Sequence, residues 1–287
     1  MVWLCLILGG TVLAAGNSIV DKKILGGQAV QPFACATSFG VVGLPVALLG
    51  LLIFPAPSRS QALLGISAGV LFIPAAWLYY DTLAREDVSR VVPLLRLSSL
   101  QTLLFGMFFL GEMLTAKQWI AFFFLLSSSF LLSCKPGFRG IACSWTALRV
   151  LPATTLLALS GILMADLYRT TSIWTGITWE SVGMVLSIIV LSLFRTRGTR
   201  HWWKSASLKN WGVLIGDQTV RLIVQVTTAL AIAHGVPVAL SSTLSGANLL
   251  WVWLLASFLL QERAGKDDLA LKCCGTIGMG LGICLLM

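Results

Sequence analysis

A chain of 287 residues that is 57% hydrophobic and only 11% charged, with a mean hydropathy of +0.90, does not fold as a water-soluble globule. Its 20 Lys and Arg outnumber its 11 Asp and Glu, for a net charge of +9. These basic residues sit between apolar runs, where they report membrane orientation rather than a nucleic-acid surface, so the expected partners are the lipid bilayer and no nucleic acid.

The apolar runs in chain order are 2–20, 28–54, 61–83, 89–110, 118–134, 150–171, 178–194, 211–233, 237–260 and 268–287. A helix needs roughly 20 apolar residues to cross the hydrocarbon, so these read as ten transmembrane helices. Runs such as Ile120 to Leu126 are apolar on every face, which excludes the period-two alternation of a transmembrane barrel. No Lys or Arg precedes the first run, while Asp21, Lys22 and Lys23 follow it, the reverse of a signal peptide, so the run is predicted to be retained. Trp119, Trp145, Trp174, Trp179, Trp202, Trp203 and Trp211 fall near predicted span ends, where an indole ring gains from sitting at the headgroups.

The odd-numbered connections and their edges hold fifteen Lys and Arg, against Arg59, Lys117 and Arg169 in the even ones. Positive-inside logic places the odd connections in the cytoplasm and both termini outside. The seven cysteines, Cys5, Cys35, Cys134, Cys143, Cys273, Cys274 and Cys284, show no C-x-x-C or Cys/His spacing and read as small buried thiols; no metal and no cofactor is expected.

Shifting the chain by 150 residues lays Leu110-Gly111-Glu112 over Leu260-Gln261-Glu262 and the first five segments over the last five. The unit is odd in number, so the second copy enters the membrane inverted, which is a transporter signature. The fold class is therefore all-α integral membrane, ten helices in two inverted five-helix repeats, with boundaries at 1–134, 135–149 for the connecting loop, and 150–287.

Several stretches resemble a known family. Ala75 to Tyr80, Ser89 through Pro93 to Leu95, Leu110-Gly111-Glu112-Met113-Leu114-Thr115 and Gln118-Trp119 are similar to the third and fourth helices and the closing Gly-Glu-x-Leu motif of the EamA-like branch of the drug/metabolite transporter superfamily. The second half echoes this more weakly from Ala229 through Pro237 to Glu262. The resemblance implies five plus five helices, a central cavity, and export or exchange of small metabolites without ATP. It also implies cytoplasmic termini, which the charge count of this chain opposes, and a basic second-to-third connection, where this chain has only Arg59.

An ionised group at mid-membrane costs about 2.5 to 3.5 kcal/mol, so each needs a partner, a wet cavity or a task. Arg96 lies near the middle of the fourth segment with Ser98, Ser99 and Gln101 nearby; it reads either as an anchor for an anionic solute or as a structural pair with Asp81 or Asp217. Asp217, Arg221 and Gln225 share one helical face at i, i+4 and i+8, suited to an intrahelical pair, a proton relay or a substrate contact. The ninth segment is polar at matching depth, with Ser245 and Asn248 as candidates, and Asn17 and Asp166 are near repeat-mates of second rank. Asp217 and Asp166 are the candidates for any proton coupling.

Pro45 and Pro74 fall mid-span, as hinges or tolerated kinks. Gly65 with Gly69, and Cys274, Gly278 and Gly282, form small-residue seams for close packing within the bundle or at a homodimer contact. Glu112 and Glu262 read as interfacial caps or salt bridges.

No G-x-x-x-x-G-K-[ST] or H-E-x-x-H motif occurs. The sequence reading is thus a secondary transporter of small polar or amphipathic metabolites, not an enzyme, in a bacterial cytoplasmic membrane. Its cavity is expected between segments 1, 3, 4, 6, 8 and 9. The alternative is an integral membrane enzyme acting on lipid-linked substrates.

Overall fold

The computed structural model describes residues 2–26, 30–85, 95, 97–133, 145–193, 207–248, 251 and 266–286. These residues form ten α-helices and no strand: α1 Val2–Gly26, α2 Pro32–Ile53, α3 Arg59–Arg85, α4 Leu97–Leu110, α5 Ala116–Ser133, α6 Trp145–Thr170, α7 Ile173–Leu193, α8 Leu208–Ala233, α9 Val238–Leu244 and α10 Lys266–Leu286. A 3-10 turn, Ser245–Ala247, continues α9.

Local chemistry sets several helix starts. In Ser58-x-x-Gln61, the Gln61 N–H donates to Ser58 Oγ at 3.4 Å and the Ser58 N–H donates to Gln61 Oε1 at 3.0 Å, a capping box that opens α3. Thr115-x-x-Gln118 repeats the device before α5, at 3.3 and 2.9 Å. Ser172 Oγ accepts from Thr175 N at 3.1 Å and so starts α7 at residue 173, five residues before the predicted segment at 178. Gln31 is followed by Pro32 at the first position of α2, where a missing N–H is harmless.

Four of the described helices, α2, α3, α7 and the Val150–Thr170 part of α6, are long and apolar enough to cross a membrane. Shorter apolar stretches cover Leu4–Asn17, Leu97–Leu110 and Cys273–Leu285. The outside of the bundle carries large apolar side chains in number, including Leu49, Leu52, Ile53, Phe108, Phe109, Leu193 and Ile277. Such a surface suits hydrocarbon and not water, so the chain is an integral membrane protein.

The helix pairs are mutually consistent. α3 packs on α6 and α8 packs on α1; α3 meets α7 and α8 meets α2; α4 meets α6 and α9 meets α1; and α2 with α7, α4 with α9, and α5 with α10 pair directly. α5 and α10 form an outlying pair through the Gly278–Gly282 seam, where an added Cβ would lie 2.5 Å from Ser128 Oγ and 2.8 Å from Leu125 Cγ.

The closest backbone approach marked by the glycines is between α3 and α7. A Cβ at Gly69 would stand 2.1 Å from the Glu180 carbonyl oxygen, and one at Gly183 would stand 2.2 Å from that of Ile66. The two backbones therefore touch, which only glycine allows. Both predicted seams meet residues of the same chain. The thiols depart from expectation: Cys35 is buried, whereas Cys5, Cys273, Cys274 and Cys284 are exposed on the apolar exterior, where a small weakly polar group needs no burial. Cys134 and Cys143 lie outside the described residues.

The crossing gives a direct expectation. Gly183→Ala forces α3 and α7 apart and lowers thermal stability in detergent by about 1–3 kcal/mol. Gly212→Ala, on α8 where an added Cβ meets nothing within 4 Å, leaves stability unchanged or raises it slightly. Equal melting temperatures for the two variants would contradict the contact.

Candidate functional site

A cavity of about 420 Å³ lies inside the bundle. Eight helices, α1, α2, α3, α4, α6, α7, α8 and α9, contribute to its wall, while the α5–α10 pair does not. All six helices expected from the sequence line it, and α2 and α7 are added. Apolar surface comes from Phe39, Phe72, Leu157, Met164, Val224 and Ile232. Polar groups are Asn17, Ser98, Thr102, Ser160, Tyr168, Glu180, Arg221, Gln225, Thr228, Ser241 and Ser242.

Arg221 sits near the middle of α8 and is neutralised from two sides. Its Nε donates to Asp217 Oδ2 at 2.9 Å, one turn earlier on the same helix, and its Nη2 donates to Asp21 Oδ2 on α1. The guanidinium also lies 5.9 Å from the centroid of the Phe39 ring. The intrahelical pair was expected. Asp21 was not, because the first segment was predicted to end at 20, whereas α1 runs to Gly26 and buries this carboxylate against α8.

Glu180 is the second residue that sequence reasoning missed. A predicted start at 178 set it at the headgroups; the Ser172 cap moves it two turns into α7, where it is only 4% exposed. The carboxylate accepts from Gln225 Nε2, which is also 3.4 Å from the Tyr168 hydroxyl, so α6, α7 and α8 converge on one polar group. No Lys or Arg pairs with Glu180 among the described residues. The signal available in the sequence was the Ser172-x-x-Thr175 cap.

The predicted site residues divide. Asn17, Ser98, Arg221 and Gln225 line the cavity together. Gln101 does not; its Nε2 donates to Thr155 Oγ1 at 2.9 Å and ties α4 to α6. Asp217 stands behind Arg221 with its side chain fully buried, and reaches the cavity only through that cation. Asp166 and Ser245 stand outside the lining; Ser245 Oγ donates to the Ser241 carbonyl at 2.9 Å. Asn248 closes the 3-10 turn after α9 and also stands outside it. In each case rotation about the helix axis, which hydropathy does not report, sets the side chain outside the lining. Arg96 lies outside the described residues, and Asp81, once its candidate partner, pairs with Arg85 at 2.9 Å.

Glu112 has the structural role anticipated for it. Gly111 adopts φ 62°, and the Glu112 N–H donates to the Gly106 carbonyl at 3.1 Å, which ends α4 and turns the carboxylate back over the bundle. Its oxygens accept from the Val238 N–H at 3.2 and 3.1 Å, capping α9, and from Arg169 at the end of α6. Glu262, its repeat-mate, lies outside the described residues.

Residues 1–134 match the EamA-like transporter family. The resemblance read from the sequence is therefore borne out over the first half of the chain. A curated relative from Sinorhizobium sp, named an uncharacterized transporter in the cobO 3′ region, is 36% identical over 78 residues. That match covers 27% of this chain and 54% of the relative, so the chain spans about half of the relative's length. Over the whole chain, a solved structure described only as a crystal structure of a protein superimposes with a TM-score of 0.68 at 18% identity, covering 99% of this chain and 97% of that one. The overall helical fold is thus shared with a solved structure.

The ion-pair geometry has a measurable consequence. In a double-mutant cycle of Asp21→Asn and Arg221→Met, followed by thermal unfolding in detergent, the coupling energy is expected to be about 1–3 kcal/mol. A coupling near zero would show that the bridge between α1 and α8 is not formed.

Proposed function

We propose that the protein is a secondary transporter of small polar or amphipathic metabolites, working by alternating access between two inverted five-helix halves. The observation that carries this reading is the cavity: about 420 Å³, inside an apolar bundle, and walled by four helices from each half. That volume falls in the range of small-molecule sites, and its mixture of apolar wall and a few polar groups suits an amphipathic solute.

The helix contacts support the repeat. Exchange each helix for the one five places further on, and α3–α6 becomes α8–α1, α3–α7 becomes α8–α2, and α4–α6 becomes α9–α1, all of which occur. The pairs α2–α7, α4–α9 and α5–α10 map onto themselves, as pairs across a pseudo-two-fold axis must. On this reading the repeats are 1–134 and 150–287, joined by 135–149. The fifteen-to-three bias of basic residues favours cytoplasmic odd connections in a bacterial inner membrane.

Reconstituted protein is expected to show saturable counterflow of at least one solute from a panel of amines, amino acids, sugar phosphates and nucleosides. Gly161 lines the cavity on α6, and an added Cβ there meets nothing within 4 Å. Gly161→Phe therefore projects a ring into the cavity, abolishing counterflow while leaving the melting temperature close to that of the parent. Chemical change of a lipid with no solute movement would contradict transport and favour an enzyme. Unimpaired counterflow in the variant would remove the cavity from the path.

A further inference from the structure

The charges around the cavity do not favour an anion. Its described cation, Arg221, is already bound by Asp21 and Asp217, two carboxylates for one guanidinium. Glu180 adds a carboxylate in the cavity wall itself, while Asp21 and Asp217 stand behind Arg221, so among the described residues one positive and three negative groups leave a formal excess of 1 − 3 = −2 when all are ionised. A carboxylate this deep, hydrogen-bonded by a neutral Gln225 and paired with no cation among the described residues, lacks the counter-charge that burial demands. A ligand is the available source of that charge.

Two further groups complete the site. Asn17 Nδ2 on α1 and Ser241 Oγ on α9 are buried and have no hydrogen-bond partner among the described residues, yet both residues line the same cavity. They stand on elements other than α7, so they engage a part of the ligand distinct from the part at Glu180. Phe72, Leu157, Met164 and Val224 line the same cavity and offer surface for an apolar body.

We infer that Glu180 anchors a protonated amine or other organic cation whose apolar body fills the cavity and whose second polar group reaches Asn17 and Ser241. This deepens the transport reading and rests on it only in placing the solute in that cavity. Phe72, edge-on to Phe39 at 4.8 Å, adds an aromatic wall beside a cationic guest.

The test uses three probes of one shape and different charge: phenethylamine, phenethyl alcohol and hydrocinnamate. Binding to the purified full-length protein is followed by calorimetry, and each probe is also offered in liposome counterflow. The amine is expected to bind about tenfold or more tightly than the alcohol or the acid. Glu180→Gln should reduce amine affinity to that of the alcohol, and Glu180→Asp should recover part of it. Because the isostere series is read on the unaltered protein, the outcome does not depend on the variants folding. Failure of the amine to bind, tighter binding of hydrocinnamate, or amine affinity unchanged in Glu180→Gln overturns the cation site. Counterflow of hydrocinnamate would do so while leaving transport intact; absence of counterflow for every solute in the wider panel would count against transport itself.

Discussion

Every charge carried into this bundle has to be answered by another part of the chain, and that requirement organises the structure. A fold with 11% charged residues has few such groups, and several of them fix a relation between helices. Asp21 and Arg221 hold α1 to α8. Glu112, delivered by the left-handed turn at Gly111, holds the α4–α5 turn to the start of α9 and the end of α6. Glu180 is the exception: its protein partner is an amide, and it faces open space.

The glycines make that exception available. Contact of the α3 and α7 backbones at Gly69 and Gly183 brings the Glu180 segment hard against α3, with the Glu180 carbonyl directed at the position a Gly69 side chain would need. The carboxylate then points to the other side, toward Gln225 and Tyr168. A larger residue at either glycine would shift the anchoring group along with the helix. Packing and site are therefore one design, and small residues that look merely structural set the position of a polar group in the cavity.

Much of the helical organisation was legible in the sequence. Each of the ten apolar segments overlaps one of the ten described helices, because an apolar run has one favourable structure in lipid. The errors at helix ends had larger consequences inside. A start at 178 rather than 173 hid Glu180, and an end at 20 rather than 26 hid Asp21. Of the candidates chosen by depth, Asn17, Ser98, Arg221 and Gln225 face the cavity, whereas Gln101, Asp166, Asp217, Ser245 and Asn248 do not. Depth is a one-dimensional property that hydropathy reports; rotation about the helix axis depends on packing partners, and helices apolar on all sides carry no moment to reveal it.

Alternating access is the central claim, and two-sided reactivity of the cavity tests it most directly. With the seven native cysteines replaced, Ser98→Cys and Ser242→Cys place single thiols on two helices of the cavity wall, α4 and α9. Oriented proteoliposomes are treated with a membrane-impermeant thiol reagent from one face at a time. The expected result is labelling of both positions from both faces, with a transported solute altering the balance between them. Labelling from one face alone, unchanged under every condition, would contradict the account.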